Sequence, residues 1–479
     1  MAEPKTLLKY PEPHSQVSFP VFKIHGEAPK GPIEKFLSLF ADVRAGEGVT
    51  ALLMALNAFV LLGGYYLLKT ARESLILPGA GARNEALLSG AQAVLLMAVI
   101  PLYGWIGSRV NRLKLVAGAD LFFAVNLVIF AAVGHGGSGL GNAYAAAFFI
   151  WVGIFNVFVI SQFWAFANDI YTEGQGRRLF PMIAVGSAVG AVLGSERAAA
   201  LSKAHHPPPE LMLLCAIALL ICIAIVFVVN RREILREDPV SAREAEEPLG
   251  RDGGFQLLKR DRYLFWIAVL AVLLNVVNFS GEYLFKQLVQ NESIARFGAE
   301  VASKAARQDF TGALMGNYYK WYNAAALAIQ LIVVSRLMRY AGVRAALFVL
   351  PCFALVGYSA AAIAPVLVMV RVLKVAENSV DYSLQKTVEQ TLYLPTSREA
   401  KYKAKAAVDT FCKRFGDVIG SGVIYAVGAI GGQFGYVTGP GVITPAAILR
   451  SIAVISAVIT LAWFWSATRI AKEHRKRTV

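Results

Sequence analysis

The chain has 479 residues, of which 56% are hydrophobic and only 16% charged, a balance too apolar for a soluble domain of this length. That excludes a soluble enzyme or binding module and places the chain in a bilayer. A net charge of +15 would suit nucleic acid, but the charges sit where membrane topology needs them, so no nucleic-acid partner is expected.

Residues 1–48 are polar and contain lysine and proline, with no short apolar core before a small-residue cleavage site, so they are expected to form a cytoplasmic arm and not a signal peptide. Apolar windows of about 20 residues then predict twelve spans, near 49–71, 86–107, 115–134, 143–166, 180–200, 211–230, 263–285, 318–338, 343–361, 364–385, 405–429 and 445–468. The fifth and eleventh are rich in glycine or charge. Residues 231–262, dense in both signs of charge, read as a cytoplasmic linker between a first half (49–230) and a second half (263–468), with a basic tail at 469–479.

Arg109, Arg112, Lys114, Arg177, Arg178, Arg336, Arg339, Arg344, Arg398, Lys401, Lys403 and the tail fall on one side of this scheme, and near-neutral connectors at 135–143 and 431–441 on the other. The asymmetry predicts a multi-pass protein of the cell inner membrane with both termini cytoplasmic. The expected partners are the lipid bilayer and a small solute, and the chain is expected to be monomeric.

The halves share short matches. Tyr66-Leu67-Leu68-Lys69 ends the first span and Tyr283-Leu284-Phe285-Lys286 the seventh, while Ser108-Arg109-Val110-Asn111-Arg112 follows the second and Ser335-Arg336-Leu337-Met338-Arg339 the eighth. The offsets agree if one insertion is allowed, expected in a 287–316 loop. A parallel repeat of this kind is the architecture of major facilitator transporters, with substrate near the midplane between halves. Gly104–Lys114 is similar to that superfamily's signature between helices 2 and 3, with Ser108 where an aspartate is usual; Arg109 and Arg112 alternatively serve topology alone. The fold class expected is therefore an all-α polytopic membrane protein of two pseudo-symmetric six-helix halves.

Charges inside the spans mark the candidate site, because hydrocarbon tolerates them only when they face protein or water. Lys69, Arg72 and Glu73 share one turn at the end of the first span. Lys69 is placed to bind an anionic group as a point charge, or else it snorkels and pairs with Glu73. In the seventh span Asn275, Asn278 and Glu282 form one polar stripe, and Glu282 either carries a coupling proton, balances a cavity lysine or pairs structurally with Lys286. The tenth span carries Arg371, Lys374, Asn378, Asp381 and Gln385 on one face, and the eleventh a ladder of Lys405, Asp409, Lys413 and Asp417. Asn156, Gln162, Asn168 and Asp169 complete the inventory in the fourth.

Catalytic readings find no support in the sequence. Cys215, Cys222, Cys352 and Cys412 fall in or beside spans, and no metal site or cofactor is expected. There is no Gly-x-x-x-x-Gly-Lys phosphate loop, no HExxH and no GxSxG, so the chain is expected not to be an enzyme, and transport is expected to run on gradients or exchange.

Several segments resemble the bacterial and plastid-type ATP/ADP translocase family. These are Lys69–Leu75; Phe163–Asn168 with Arg178-Leu179-Phe180-Pro181 and a glycine-rich helix; and Tyr382-Ser383-Leu384, Tyr393-Leu394-Pro395 and Lys403–Asp409. The resemblance implies a twelve-helix, major-facilitator-like nucleotide antiporter. It departs from the family pattern where acidic residues are typical, at Val152 in the fourth span and Asn278 in the seventh, and at Glu389-Gln390, where a Lys-Glu pair is usual. The expectation is a secondary transporter, antiporting or proton-coupled, of an organic anion such as ATP or ADP or another phosphorylated metabolite. Lys69, Arg72, Asn156, Asn278, Arg371, Lys374 and Asn378 are expected to bind substrate, and Glu73, Glu282 and Asp381 to compensate charge or couple. A lipid or amphiphile exporter of the same fold is the alternative.

Overall fold

A computed structural model describes residues 31–38, 43–107, 112–135, 141–171, 173–234, 254–397, 400–436 and 442–478. Arg109, Arg398, most of the charged linker (235–253) and the connectors 136–140 and 437–441 lie outside the described residues, as do the side chains of Arg112, Arg177 and Lys401. The chain divides into two units, Met1–Val49 and Thr50–Val479. The first contains a short helix, Pro32–Leu37. The second holds the long helices, and no strand occurs among the described residues. Helix is what a bilayer dictates, since each N–H and C=O must be paired within its own segment where no water can reach it.

Twelve long helices are seen among the described residues: α1 (Gly48–Gly79), α2 (Gly81–Gly107), α3 (Arg112–His135), α4 (Gly141–Ile170), α5 (Glu173–Lys203), α6 (Pro208–Ile234), α7 (Arg262–Phe297), α8 (Lys304–Ile329, continued through a π turn to Ser335–Tyr340), α9 (Val349–Ile363), α10 (Leu367–Val380, continued through the π turn Asp381–Gln385 to Lys386–Leu392), α11 (from Ala400–Ala404 to Lys413–Gln433) and α12 (Ala446–Thr478). Among the described residues, ten of these helices are long and apolar enough to cross a membrane. The other two are α2, which opens on Arg83-Asn84-Glu85, and α10, which carries Arg371, Lys374, Glu377 and Asp381.

The predicted spans end where apolar runs end, but the helices continue. α1 has 32 residues, and Gly81, at φ 82°, makes the left-handed turn that lets α2 start two residues after α1 stops. The loop expected at 287–316 is mostly helix, because its polar residues find tertiary partners: Gln290 accepts the Ala82 N–H at 2.7 Å, and Asn291 Nδ2 donates to the Thr444 carbonyl at 3.0 Å. Asp261 caps α7, accepting from the Tyr263 N–H at 2.9 Å, and Arg477 at the end of α12 donates to the same carboxylate at 2.6 Å.

Packing repeats six helices apart. α3 lies against α6 as α9 lies against α12. α5 meets α1 through glycines, as α11 meets α7. A Cβ at Gly186, Gly190 or Gly194 would lie 2.4, 2.1 or 2.4 Å from the carbonyl oxygens of Ala55, Phe59 and Gly63; one at Gly416 would lie 2.7 Å from the Val272 oxygen, and one at Gly420 2.9 Å from Phe279. With lipid as apolar as the side chains, helices in membranes are held by close approach, and small residues four apart permit it. The two sets meet across the molecule where Gly312 and Gly316 of α8 face Ser202 and Ala199 of α5, and where Ser421 of α11 donates to the Ala86 carbonyl of α2 at 2.9 Å.

Gly190→Val is expected to destabilise the detergent-purified protein by about 1–3 kcal/mol, since backbone must shift to admit the side chain. Gly422→Ala, where a Cβ meets nothing within 4 Å, is expected to leave the melting temperature unchanged. Equal melting temperatures for the two variants would refute the glycine contact.

Candidate functional site

At the shared end of α1, α2 and α7 four ionised groups lie together. Arg72 Nη2 is 2.5 Å from Glu73 Oε1, Lys286 Nζ is 3.0 Å from the same oxygen, and Lys286 also pairs with Glu85. The carboxylates of Glu73 and Glu85 are buried and the cluster balances two charges of each sign. This balance is why hydrocarbon accepts it, because a lone buried charge costs several kcal/mol while a compensated set does not. The expected alternatives in which Glu73 pairs with Lys69, or Glu282 with Lys286, are not realised: both i,i+4 partners are drawn to other helices.

A second group lies between α7, α8 and α10. Glu282 Oε1 accepts from Tyr318 Oη at 2.9 Å and from Asn378 Nδ2 at 2.8 Å, with Lys374 Nζ 3.8 Å away. Lys374 donates to Asn278 Oδ1 at 3.1 Å and pairs with Glu377 at 3.2 Å. Tyr358 on α9 completes the wall, donating to the Val277 carbonyl at 2.7 Å. The predicted stripe on α7 therefore splits: Asn278 and Glu282 face α10, while Asn275 donates to its own helix at Ala271 and its Cβ lies beside Gly416 of α11.

Lys69 lies among tyrosines. Its Nζ donates to Tyr322 Oη at 3.1 Å and stands 4.4 Å above the Tyr319 ring. Tyr66 Oη in turn meets Tyr322 Oη at 3.0 Å and donates to Asn323 Oδ1 at 3.1 Å. Tyr382 stacks on Tyr322 with centroids 5.4 Å apart, and the residue is 49% exposed. Among the described residues no carboxylate lies within ion-pair distance of Lys69, although Glu282 and Glu73 contribute to its surroundings at longer range. Tyrosine faces and hydroxyls stabilise the ammonium by cation–π and hydrogen-bond contacts without cancelling its charge.

The remaining expected site residues are placed elsewhere. Arg371 is not with Lys69 or Lys374: it hydrogen-bonds Asn317 on the face of α8 turned away from the tyrosines. Asn156 is part-buried on α4, its Oδ1 without a hydrogen-bond partner. Asp381 is buried at the start of the α10 π turn, one turn beyond Asn378, with Oδ1 unpartnered. The ladder on α11 is a junction with α10: Lys413 pairs with Asp409 at 2.8 Å and with Glu389 at 2.9 Å, and Arg414 with Asp417 at 3.1 Å. No group of three or more His, Cys, Asp or Glu among the described residues is placed to hold a metal ion.

Sequence reasoning missed Glu85, Glu377 and the tyrosines. A signal for the latter was present in Tyr318, Tyr319 and Tyr322, whose spacing puts two of the rings on one helical face. Glu85, at the polar head of a span, has no such signal; only the approach of α7 reveals it.

A family model described as TLC ATP/ADP transporter matches residues 143–474. The chain is similar to ADP,ATP carrier protein 1 of Chlamydia trachomatis, 22% identical over 517 residues and covering 92% of each chain. It is also similar to ADP,ATP carrier protein 5 of Rickettsia felis, 21% identical over 355 residues, covering 67% of this chain and 68% of that one. Among solved structures, the nucleoside transporter NupG superposes with a TM-score of 0.59 at 13% identity, covering 87% of this chain and 98% of that chain. A bacterial homologue of the iron transporter ferroportin, in an inward-facing state, gives a TM-score of 0.61 at 12% identity, covering 88% and 98%. At such identities these structures show a shared transporter fold, and the family match supplies the rest: a polytopic helical membrane protein, the chain belongs to the TLC ATP/ADP transporter family.

Proposed function

We propose that the chain is a secondary transporter that moves a nucleotide such as ATP or ADP, or another phosphorylated organic anion, by alternating access between two six-helix halves, 49–230 and 263–468. The reading rests on Lys69, a cation in the middle of the bundle that is held by tyrosine rings and a hydroxyl in place of a carboxylate. An arriving phosphate finds an ammonium whose charge is not already spent. The exposed surface of Tyr382, backed by Tyr322, offers a stacking platform for a base. Lys374 and Glu282 compensate charge: an anion drawing on Lys374 frees Glu282, which then depends on Asn378 and Tyr318, or on a proton, for its stability.

The cluster of Arg72, Glu73, Glu85 and Lys286 acts as the gate. It ties α1 and α2 to α7 at one end and must separate before that end can open. With both termini in the cytoplasm of a cell whose inner membrane holds the protein as a monomer, that end faces outward. Nothing in this cycle requires bond chemistry or a cofactor, so the chain is a carrier and not an enzyme. The family match favours this reading over export of a lipid by the same fold.

In proteoliposomes loaded with ADP, Lys69→Ala is expected to lower uptake of labelled ATP at least about tenfold, the worth of one charge-assisted hydrogen bond, with Lys69→Arg retaining part of it. Wild-type uptake in both variants removes Lys69 from the site; no exchange of any nucleotide by the wild type overturns the nucleotide reading itself.

Tyr382→Ala is expected to weaken ATP binding by about 1–3 kcal/mol, one lost base stack, and to leave the affinity for tripolyphosphate unchanged in calorimetry. Equal losses for both ligands would rule out stacking.

Lys286→Gln strands Glu85 and leaves Glu73 with Arg72 alone, and is expected to cost about 3–5 kcal/mol of stability, while Glu85→Gln leaves the Lys286–Glu73 pair intact and costs less. Thermal unfolding that ranks the two variants in the opposite order would contradict the gate as described.

A further inference from the structure

A cavity of about 710 Å³ opens sideways between α8 and α10, lined by residues that the tyrosine cluster does not use. Its volume lies within the range of sites that bury a small ligand. The wall is apolar and faces outward: Trp321 is 54% exposed, Val368 72% and Val372 63%, with Leu314 and Val375 behind them. Three cations line the same cavity: Lys203, Arg296 and Arg371. Lys203 ends α5, Arg296 is next to the last residue of α7, and Arg371 lies in the second turn of α10, so all three stand near one end of the bundle.

Few anions oppose them. Arg296 Nε bonds Glu292 at 2.7 Å and its guanidinium lies 5.1 Å from the Phe310 ring centroid, Arg371 donates to the neutral Asn317, and Lys203 has no ion-pair partner among the described residues. The nearby Asp309 is taken by His205 at 2.6 Å. Three positive groups therefore meet one carboxylate at the head of an apolar trough whose Trp321, Val368 and Val372 are exposed. Lysine and arginine stems run along apolar surface and present their charge at headgroup level, and tryptophan favours the same depth.

We propose that this groove binds a phospholipid with an anionic headgroup, its phosphate among Lys203, Arg296 and Arg371 and one acyl chain along Trp321, Val368 and Val372. The lipid would bridge α8 and α10, the helices that carry Tyr318 and Asn378, and so brace the candidate site from outside. This assignment does not depend on which solute is carried.

Native mass spectrometry of the detergent-purified full chain with added phosphatidylglycerol or phosphatidylcholine of the same acyl chains tests it. The wild type is expected to retain phosphatidylglycerol about tenfold better, the worth of one charge-assisted contact. Lys203→Gln combined with Arg371→Gln is expected to erase that preference. Val368→Trp, at an exposed position, is expected to reduce adducts of both lipids without lowering the melting temperature. Equal retention of the two lipids by the wild type, or variants that bind as the wild type does, overturns the proposal. So does displacement of bound phosphatidylglycerol by ATP, which would assign the cations to a soluble anion.

Discussion

A charge at hydrocarbon depth is costly unless it finds its opposite, and two clusters of this chain do so across helices. Lys286 joins Glu73 of α1 to Glu85 of α2, while Lys374 gathers Asn278, Glu282 and Glu377 around α10. The first, completed by Arg72, balances two charges of each sign; in the second Lys374 faces two carboxylates, and Tyr318 and Asn378 donate to Glu282, which lowers the cost of burying it. The positions of α1, α2, α7 and α10 follow from that requirement, because separating any of them strands an ion. In the proposed cycle this closed end opens only when partners are exchanged, and partner exchange is the step at which a charged solute would act.

Against that background Lys69 is distinct. Its neighbours are π faces and hydroxyls, which solvate an ammonium without neutralising it. A carboxylate in the same place would have made the site self-sufficient and lowered the gain on binding an anion. The tyrosines also fill the space between α1 and α8 with rigid rings, so the ammonium is held in position while part of the cluster, at Tyr382, stays open.

Close approach of backbones makes these contacts possible. Gly186, Gly190 and Gly194 let α5 lie against α1, Gly416 and Gly420 let α11 lie against α7, and the correspondence between the two sets is the repeat of the fold expressed as packing. The π turn at Asp381–Gln385 begins three residues after Asn378, just past the residues that hold Glu282.

The sequence by itself determined that the chain is a helical membrane protein, roughly where its spans lie, that its halves repeat, and that Lys69, Glu282 and Lys374 are ionisable residues within or at the ends of apolar segments, because hydropathy and charge are properties of short windows. It misjudged the segment 287–316, whose polar residues looked like a loop until Gln290 and Asn291 were seen bonded to the α1–α2 turn and to Thr444. Only the tertiary structure decided who pairs with whom. Spacing along one helix allowed Glu73 with Lys69 and Glu282 with Lys286 as alternatives, yet cross-helix partners won both, since buried geometry outweighs a local i,i+4 contact worth a few tenths of a kcal/mol. It also separated Arg371 from Lys374, three residues along α10, sending one to the groove between α8 and α10 and the other to Asn278 of α7. A periodicity can say that residues share a side of a helix; which neighbour that side meets is set by packing.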